Sequence, residues 1–490
     1  MALTPRLDPY ARLLFRLYEV LVLLSILRPV SGSHLVTRLG NYTLQDARRR
    51  FLRNLCFLCD YQKGGDSTTA MAVEEREDCY VFWVSSNEGP GEEVTRHLGD
   101  VLCHVQRFVN RSEDRAASEG ALMAICTTFA SPRITQLTRI LRNASIKCRV
   151  CLEGAQEEHN EDVVNWLRRF EGQNQSELSV CRAAYRVRND EELRQVEQRG
   201  QESEDSPDVM RTASAFRTVK HVIGRLAAYP RAVSQLLDDG SRLRKLLMDH
   251  RIVRSVPRPA SAAVPAADPH TTLGGVLKRL LPDRDIRYEP YLGYLAHMDS
   301  QVDIESALRT EFGSRREPGV HAEVQLLHHF YDGRRRYAAK DRYVACSKPA
   351  CVCCELYFRH HPARVCLLDS HRKAYLNWGV LSLAGGVNDA EWVEWRRILN
   401  DVVGDLKGIV LDQISELQVS RLERRDTLTQ ITASQNGVVG DSDSEMEAFG
   451  NAGEVQVAEH HPSIGLGNHL LDEEVGSESG VGVENGAALY

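Results

Sequence analysis

One histidine, one glutamate and a pair of cysteines form the clearest chemical pattern in the chain. His321-Ala322-Glu323 is followed about thirty residues later by Cys351-Val352-Cys353-Cys354. An imidazole and two thiolates are ligands that suit tetrahedral zinc, and three protein ligands leave the fourth position to water. A carboxylate two residues after the histidine is placed to move a proton from that water. The pattern therefore predicts a catalytic zinc site formed by His321, Cys351 and Cys354, with Glu323 as proton carrier.

Both halves of this pattern are predicted to begin helices. Residues 320–330 place Val324, Leu327 and Phe330 on one side, and His321 lies in the first turn. Cys351 and Cys354 are three residues apart, so both would face one side at the start of a helix over 351–359. Free backbone N–H groups at that position favour the thiolate form. Strands predicted at 342–346 and 364–368 alternate with these helices, which indicates a parallel or mixed sheet covered by helices.

The residues around the two motifs resemble a known group of proteins. The strings His321-Ala-Glu-Val-Gln-Leu-Leu327 and Cys346-Ser-Lys-Pro-Ala-Cys351-Val-Cys-Cys354-Glu-Leu-Tyr357 are similar to the cytidine-deaminase-like superfamily. The similarity is to its fungal branch, which is related to bacterial toxin-type deaminases, and it covers about residues 270–385. Leu58-Cys-Asp-Tyr-Gln-Lys-Gly-Gly-Asp66 also resembles a segment of those fungal proteins. One departure is that Pro349 does not directly precede the first cysteine, because Ala350 lies between them.

The resemblance implies a fold, a reaction and a set of residue roles. The expected fold is a three-layer α/β/α domain with a mixed sheet. The expected reaction is hydrolytic deamination of a cytosine- or adenine-type base in a nucleotide or nucleic acid. Zn²⁺ would be held by His321, Cys351 and Cys354, and Glu323 would pass a proton from water to the ring nitrogen. Apart from the resemblance, Lys348 and Trp378 are candidates for holding the substrate, although core packing is the favoured interpretation of Trp378.

Two other functions are compatible with the same residues. The first is a catalytically inactive, deaminase-like scaffold or binding protein with a structural zinc, for which Cys353 or Cys346 would supply a fourth ligand. The second is nucleic-acid binding without chemistry. Residues 331–380 hold ten Lys or Arg against four Asp or Glu, and these include Arg334, Arg335 and Arg336. Glu323 favours the enzyme, because a structural zinc site does not need that carboxylate.

Composition limits the classes of protein to which the chain belongs. It has 490 residues, of which 42% are hydrophobic, and a formal net charge of −7. Residues 434–490 carry eleven acidic residues and no Lys or Arg, so residues 1–433 carry about +4. A dedicated non-specific DNA binder would be far more basic. Thirteen cysteines, with a metal-type cluster, favour a reducing compartment, so a cytoplasmic or nuclear location is expected.

The chain is predicted to divide into five segments. Residues 1–250 form a mostly helical region of unknown role, with a strand at 79–85. A Pro/Ala-rich linker over 251–269 has a composition that breaks helices. The zinc domain follows over 270–400, with one or two strands expected at 286–298. A helical extension covers 401–433, and the acidic tail over 434–490 is predicted to be disordered.

Three features of the N-terminal region are interpreted as structural. Residues 13–27 are apolar but contain Arg16 and Glu19, which favours an amphipathic helix with one apolar side over a signal peptide, and no membrane span is expected. Cys56-x-x-Cys59 and Cys148-x-x-Cys151 could form a four-cysteine zinc site, but apolar surroundings favour packed free thiols. The Lys63–Asp66 segment, Lys-Gly-Gly-Asp, lacks the spacing of a phosphate-binding loop and is predicted to be a turn.

Overall fold

The computed structural model describes residues 8–27, 37, 39–40, 43–111, 114–155, 160–172, 175–201, 207–248, 250–313 and 317–423. The predicted acidic tail lies outside these residues. The strands are β1 (Thr69–Glu75), β2 (Cys79–Ser86), β3 (His250–Ser255) and β4 (Ala345–Cys346). The helices are α1 (Pro9–Leu27), α2 (Leu44–Cys59), α3 (Glu92–Val109), α4 (Arg115–Phe129), α5 (Ser131–Gly154), α6 (Glu161–Arg168), α7 (Glu177–Val187), α8 (Glu191–Gln201), α9 (Pro207–Arg242), α10 (Arg244–Met248), α11 (Leu273–Leu280), α12 (Tyr288–Val302), α13 (Ile304–Gly313), α14 (Ala322–Asp332), α15 (Val352–His360) and α16 (Trp392–Glu423).

The four strands form one mixed sheet in the order β3-β2-β1-β4. β1 and β2 form an antiparallel hairpin in which Thr69 lies opposite Ser86. β4 extends the hairpin on one side, antiparallel to β1, with Cys346 opposite Ala70. β3 pairs with β2 in parallel on the other side. The sheet therefore joins strands that lie far apart in the sequence, because the helices α3 to α10 separate β2 from β3.

Side chains of β1 and β2 alternate between two apolar cores. Ala70, Ala72, Val81 and Trp83 pack in one core with residues of α1, α14, α15 and α16. Met71, Val73, Phe82 and Val84 point the opposite way and pack in a second core with residues of α2, α3, α5 and α9. This period of two, buried on both faces, places the sheet between two helical layers. The predicted three-layer α/β/α fold with a mixed sheet is confirmed.

The predicted N-terminal helix is confirmed as α1, but the prediction of a single apolar side is wrong. Residues 17–24 are all buried, and α1 packs along α16 and α13. The carboxylate of Glu19 is buried as well, and it accepts a hydrogen bond from Arg279 Nε at 2.9 Å. A helix that is buried all round belongs to the core of a large protein. Among the residues described, no helix combines the length and apolar character needed to cross a membrane.

Two predicted strands are absent from the described residues. Residues 286–298 lie in and just before α12, where Tyr291, Leu295 and Met298 are buried at helical spacing. The helical spacing of these buried residues, and not their aromatic and leucine content, is the signal that distinguishes a helix from a strand here. Residues 364–368 form no strand: Cys366 N donates to Arg342 O at 2.8 Å, but Arg364 has a left-handed backbone with a φ of 47°.

The predicted domain boundaries stay predictions, although the sheet crosses them. β1 and β2 belong to the segment predicted as a separate helical region, whereas β4 belongs to the predicted zinc domain. The predicted linker over 251–269 contributes β3 and buries Val256, Ala262 and Val264 in the core that contains α14 and α15. Those three side chains show that a proline-rich segment packs when its apolar residues face a neighbouring sheet and helix layer.

Candidate functional site

The N-termini of α14 and α15 hold the predicted ligands. His321 is the residue directly before α14, and Cys351 is the residue directly before α15. Both have extended backbone conformations, as N-cap residues do. The sulfur of Cys351 accepts a hydrogen bond from the backbone N–H of Cys354 at 3.5 Å. Two of the three ligands therefore lie one residue earlier than the predicted first helical turns, at the cap positions themselves.

The three predicted ligands lie together at distances that suit a metal. His321 Nδ1 is 3.7 Å from Cys351 Sγ and 3.4 Å from Cys354 Sγ. Tetrahedral zinc with ordinary bond lengths to sulfur and nitrogen separates those atoms by about 3.6 Å. All three ligand atoms lie within 4.8 Å of one another, and the described residues contain no other such group of three His, Cys, Asp or Glu. The donor set and its spacing therefore fit a zinc ion.

The end of β2 fixes the start of α14. Asn87 Oδ1 accepts the backbone N–H of Ala322 at 2.8 Å, and Ser85 Oγ donates to the carbonyl of Ala322 at 2.7 Å. Gln325 Nε2 donates to the carbonyls of Ser86 at 3.0 Å and of Val320 at 2.7 Å. The bond from Asn87 satisfies one of the N–H groups that the first turn of a helix leaves without a partner, and the other three bonds connect that turn to the end of β2 and to Val320. The position of His321 is thus set by a strand more than 230 residues earlier in the chain.

The surroundings of Cys351 favour its ionised form. Burial by itself raises the pKa of the Cys351 thiol, but hydrogen bonds from Cys353 and Cys354 and the adjacent His321 hold it well below its ordinary value. A low-pKa thiol at the N-terminus of a helix is ready to bind a metal, because the thiolate is the ligand.

Trp378 lies in the apolar core and contacts one of the candidate ligands, Cys354. Its side chain is fully buried, and its indole Nε1 donates to Cys354 Sγ at 3.1 Å. The residue after it, Gly379, approaches the chain just before His321 so closely that a Cβ would lie 2.3 Å from Pro318 O. Trp378 and Gly379 therefore connect the thiolate with the backbone that carries the imidazole.

We expect Trp378→Phe to weaken zinc binding about tenfold, because outer hydrogen bonds orient metal ligands and tune them. A competition titration with a chelating dye measures the change. Trp166→Phe is the matched control, because Trp166 is also buried and its indole donates to Asp190 at 3.0 Å in the other core. Equal zinc affinities in the two variants would contradict the role of Trp378.

A cavity of about 180 Å³ opens beside the ligands. His321, Glu323 and Cys351 line it on the metal side, and Tyr375 and Asn377 lie next to them. Its remaining lining comes from the turn before β1, the residue after β2, two helices of the N-terminal region, the segment before Cys351 and one residue after α15: Lys63, Gly64, Gly65, Thr68, Asn87, Arg133, Arg225, Cys346, Lys348, Pro349 and His371. The cavity therefore lies directly beside two of the three candidate ligands, His321 and Cys351.

Glu323 lies at this cavity but outside the ligand group. Its side chain is 3% exposed, and one carboxylate oxygen is 3.9 Å from Cys346 Sγ. Burial raises the pKa of Glu323, and the charge of His321 opposes that rise. Neither Cys346 nor Cys353 belongs to the group of three ligands. The arrangement has the parts of an open metal site with an adjacent carboxylate.

A buried ion network lies beside the cavity and includes its lining residues Arg133 and Lys348. Asp60 directly follows α2 and is fully buried. Its Oδ2 lies 2.8 Å from Arg133 Nη1 and 3.5 Å from Lys348 Nζ, and it accepts a hydrogen bond from Ser347 Oγ at 3.2 Å. Lys348 also donates to Thr68 Oγ1 at 3.1 Å and to the carbonyl of Gly64. Asp60 therefore connects two parts of the chain, namely α5 and the segment that precedes Cys351.

We expect Asp60→Asn to destabilise the protein by about 3–5 kcal/mol at neutral pH, because two buried cations lose their counter-charge. Burial would raise the pKa of Asp60, but Arg133 and Lys348 hold it below its ordinary value. The carboxylate therefore stabilises the fold above its unfolded-state pKa, and that contribution disappears as pH falls through the folded-state pKa. Urea unfolding at neutral and acidic pH should show the difference between wild type and variant shrinking in acid.

Asp238→Asn is the matched control for that measurement. Asp238 is largely exposed, and it pairs with Arg115 at 2.6 Å. An exposed ion pair contributes at most about 1 kcal/mol. Equal destabilisation by the two variants would contradict the role assigned to Asp60.

Other residues named from the sequence lie in different positions. Lys348 lines the cavity as a candidate substrate-binding residue, whereas Trp378 is not among its lining residues. Arg335 covers the ring of Trp83 at 4.6 Å and lies 3.4 Å from Glu74, away from the cavity lining. Cys56, Cys59 and Cys148 are buried free thiols in an apolar core, as predicted, whereas Cys151 is an exposed free thiol, so its predicted packing is wrong. The segment 63–66 is a turn, as predicted, but it also forms part of the cavity wall.

Several cavity residues were missed because they lie far from the motifs in the sequence. Asn87 directly follows β2, Arg133 lies on α5 and Arg225 lies on α9. No local sequence pattern marks any of them as a cavity residue. His371 follows α15 and is buried against the cavity, and no pattern in the sequence marks it either. In the sequence, the feature that points to this part of the cavity is the similarity of residues 58–66 to a segment of deaminase-like proteins. Residues 58–66 include Asp60 and Lys63.

The comparisons with known proteins agree with this geometry. A family model for an OTT_1508-like deaminase matches residues 320–382, a segment that begins directly before His321 and includes Cys351, Cys354 and Trp378. No curated protein and no solved structure gave a match. The narrower resemblance to a fungal branch stays a prediction. The segment that carries the three ligands and Glu323 is therefore related to the deaminases of the cytidine-deaminase-like type.

Proposed function

We propose that this protein is a zinc-dependent hydrolytic deaminase that acts on an amino-bearing nucleobase. The single observation that carries the proposal is the position of Glu323. It lies at the same cavity as the group of His321, Cys351 and Cys354, within the segment related to deaminases. A structural zinc site needs four protein ligands and no neighbouring carboxylate.

His321, Cys351 and Cys354 would hold the zinc ion through one nitrogen and two sulfur atoms. When bound, zinc supplies the Lewis-acid activation that makes water a nucleophile near neutral pH. Asn87, the residue after β2, holds the first residue of α14, and Trp378 holds the sulfur of Cys354. Hydrogen bonds of this kind orient the ligands of a metal.

Glu323 performs the proton transfers of the proposed reaction. Its carboxylate takes a proton from the attacking water and delivers it to the ring nitrogen next to the amine-bearing carbon. A second proton from the same water reaches the amine, which leaves as ammonia, and a carbonyl remains on the ring. Water is consumed and ammonia is released, so atoms and charges balance. Burial of the carboxylate beside the cavity supports this role, because bulk water does not compete for the proton.

Tyr375 is the aromatic residue placed to contact a base. Its ring lies on the cavity wall, with its centroid 6.4 Å from that of His321. A base that stacks on an aromatic ring gains about 1–3 kcal/mol. Trp378 was the earlier candidate for this contact, but its buried indole is bonded to Cys354.

The experiment that tests the proposed function measures ammonia release by the full chain. Cytosine- and adenine-type bases, nucleosides, nucleotides and oligonucleotides are offered to zinc-loaded protein and to protein stripped with a chelator. We expect release with at least one class of compound, loss of release after stripping, and recovery after zinc is added back. Zinc-loaded, folded protein that releases ammonia from none of them would favour the inactive scaffold.

A further inference from the structure

The segment 373–379 is fixed to both halves of the candidate metal site. At one end, the N–H of Val352 donates to the carbonyl of Lys373 at 3.1 Å. At the other end, the N–H of Gly379 donates to the carbonyl of Gly319 at 2.8 Å. Val352 directly follows the first cysteine of the site, and Gly319 precedes the histidine by two residues. Backbone hydrogen bonds therefore set the position of this segment relative to the candidate ligands.

The middle of the segment forms a turn at the cavity. The N–H of Trp378 donates to the carbonyl of Tyr375 at 3.2 Å, which closes the turn. The ring centroid of Tyr375 lies 6.4 Å from that of His321. The indole of Trp378 donates to Cys354 at 3.1 Å. Asn377 lies between these two aromatic residues in the sequence and lines the cavity, so contacts on both sides hold it beside the ligands.

The amide of Asn377 has no hydrogen-bond partner among the residues that the structure describes, and its side chain is exposed. Its polar neighbours on the cavity wall differ in this respect. Asn87 is bonded to the start of α14 and to the turn before β1, and Thr68 is bonded to Lys348 at 3.1 Å. Five further side chains of the wall also have interactions within the chain: Lys63, Arg133, Arg225, His371 and Tyr375. Asn377 therefore offers two N–H donors and one carbonyl oxygen to a molecule in the cavity.

Lys348, the substrate-binding candidate from the sequence, is less suited to that contact. Its ammonium group has three N–H donors. It donates to the carbonyl of Gly64 and to Thr68 Oγ1, and Asp60 Oδ2 lies 3.5 Å away. These partners occupy the donors of Lys348, whereas those of Asn377 are available.

We propose that Asn377 is a specificity-determining residue, whose side-chain N–H donates to an acceptor on the edge of the base. This inference rests on the proposed deaminase function and names a residue that selects its substrate. Glu323 would serve the ring nitrogen next to the amine-bearing carbon, so Asn377 takes the second acceptor. That acceptor is the carbonyl oxygen of a cytosine-type base or a nitrogen of the five-membered ring of an adenine-type base.

Binding measured without turnover tests the inference. The full-length, zinc-loaded chain with Glu323→Gln is titrated calorimetrically with two pairs of compounds. One pair is adenosine and 7-deazaadenosine, and the other is cytosine and 4-aminopyrimidine; the second compound of each pair lacks the second acceptor. We expect the compound with the acceptor to bind at least about tenfold more tightly in one pair or both, because its partner leaves the amide unpaired.

Variants of Asn377 in the same background locate the contact. Asn377→Ala should remove the preference for the acceptor, because a bond that is already lost cannot be lost twice. Asn377→Gln keeps the amide and should retain part of the preference. Asn143→Ala is the matched control, because Asn143 is also exposed but lies outside the cavity lining. Zinc content and Tm should be the same in all four proteins, so a changed preference reports contact with the base and not a loss of folding.

Each outcome decides a different point. A preference that persists in Asn377→Ala, or that Asn143→Ala removes equally, would overturn the assignment. It is also overturned if neither pair shows a preference, or if none of the four compounds binds. A preference that needs Asn377, in a protein whose wild type releases no ammonia, would support the contact and count against the deaminase reaction.

Discussion

Glu323→Gln is expected to lower the turnover number for deamination about 1000-fold and to leave one zinc bound per chain. General acid–base groups contribute about 10²- to 10⁴-fold to rate, and no other carboxylate lines the described cavity. Glutamine has nearly the same shape as glutamate but cannot accept and return the proton. Zinc should be retained, because Glu323 lies outside the group of His321, Cys351 and Cys354. Ammonia release and metal analysis on the same preparation measure the two effects.

Glu355→Gln is the control for that experiment. Glu355 lies in the first turn of α15, directly after Cys354, and its side chain is as buried as that of Glu323. Its carboxylate pairs with Arg359 at 2.8 Å and is absent from the cavity lining. The control should therefore keep its turnover number within a few-fold of wild type. Undiminished turnover in Glu323→Gln, or an equal loss in both variants, would contradict the role of Glu323 as proton carrier.

The candidate metal ligands could be predicted as a group because their chemistry and their local structure coincide. The His-x-Glu and Cys-x-x-Cys motifs each need only the start of a helix, and the sequence signals for α14 and α15 lie within a few residues of them. The structure places one ligand atom each of His321, Cys351 and Cys354 within 4.8 Å of one another. His321 and Cys351 are N-cap residues in the structure, whereas the sequence predicted them in the first helical turn. Sequence patterns do not locate helix ends to a single residue.

The rest of the site depends on long-range pairing, which short patterns do not record. Asn87 fixes the N-terminus of α14 only because β2 ends beside it, and β2 reaches that position through its pairing with β1. Arg133 and Arg225 reach the cavity because α5 and α9 pack together over α2. The residues next to Arg133 and Arg225 in the sequence do not indicate that either side chain lines the cavity. The region predicted from its composition to be separate therefore supplies seven of the sixteen residues that line the cavity.

Cys354→Ser is expected to abolish the stabilisation that zinc gives to the protein. Burial of a hydroxyl at this fully buried position lowers the Tm of the variant even without metal, so the effect is measured as the zinc-dependent rise within each protein. Zinc at about a thousandfold excess over its dissociation constant stabilises a protein that binds it only when folded by about 4 kcal/mol. Wild type should therefore show a rise of several degrees in Tm when zinc is added, and Cys354→Ser should show none. Thermal unfolding with and without zinc, together with metal analysis, measures this effect.

Cys353→Ser separates the proposed open zinc site from a structural site with four protein ligands, namely His321 and three cysteines. Cys353 is also fully buried and lies one residue away, but it is outside the group of three ligands. If three protein ligands hold the metal, Cys353→Ser keeps the zinc-dependent rise in Tm, although burial of a hydroxyl lowers both Tm values. Loss of that rise in Cys353→Ser would make Cys353 the fourth ligand. The site would then have no open position, and Glu323 would have no water to activate.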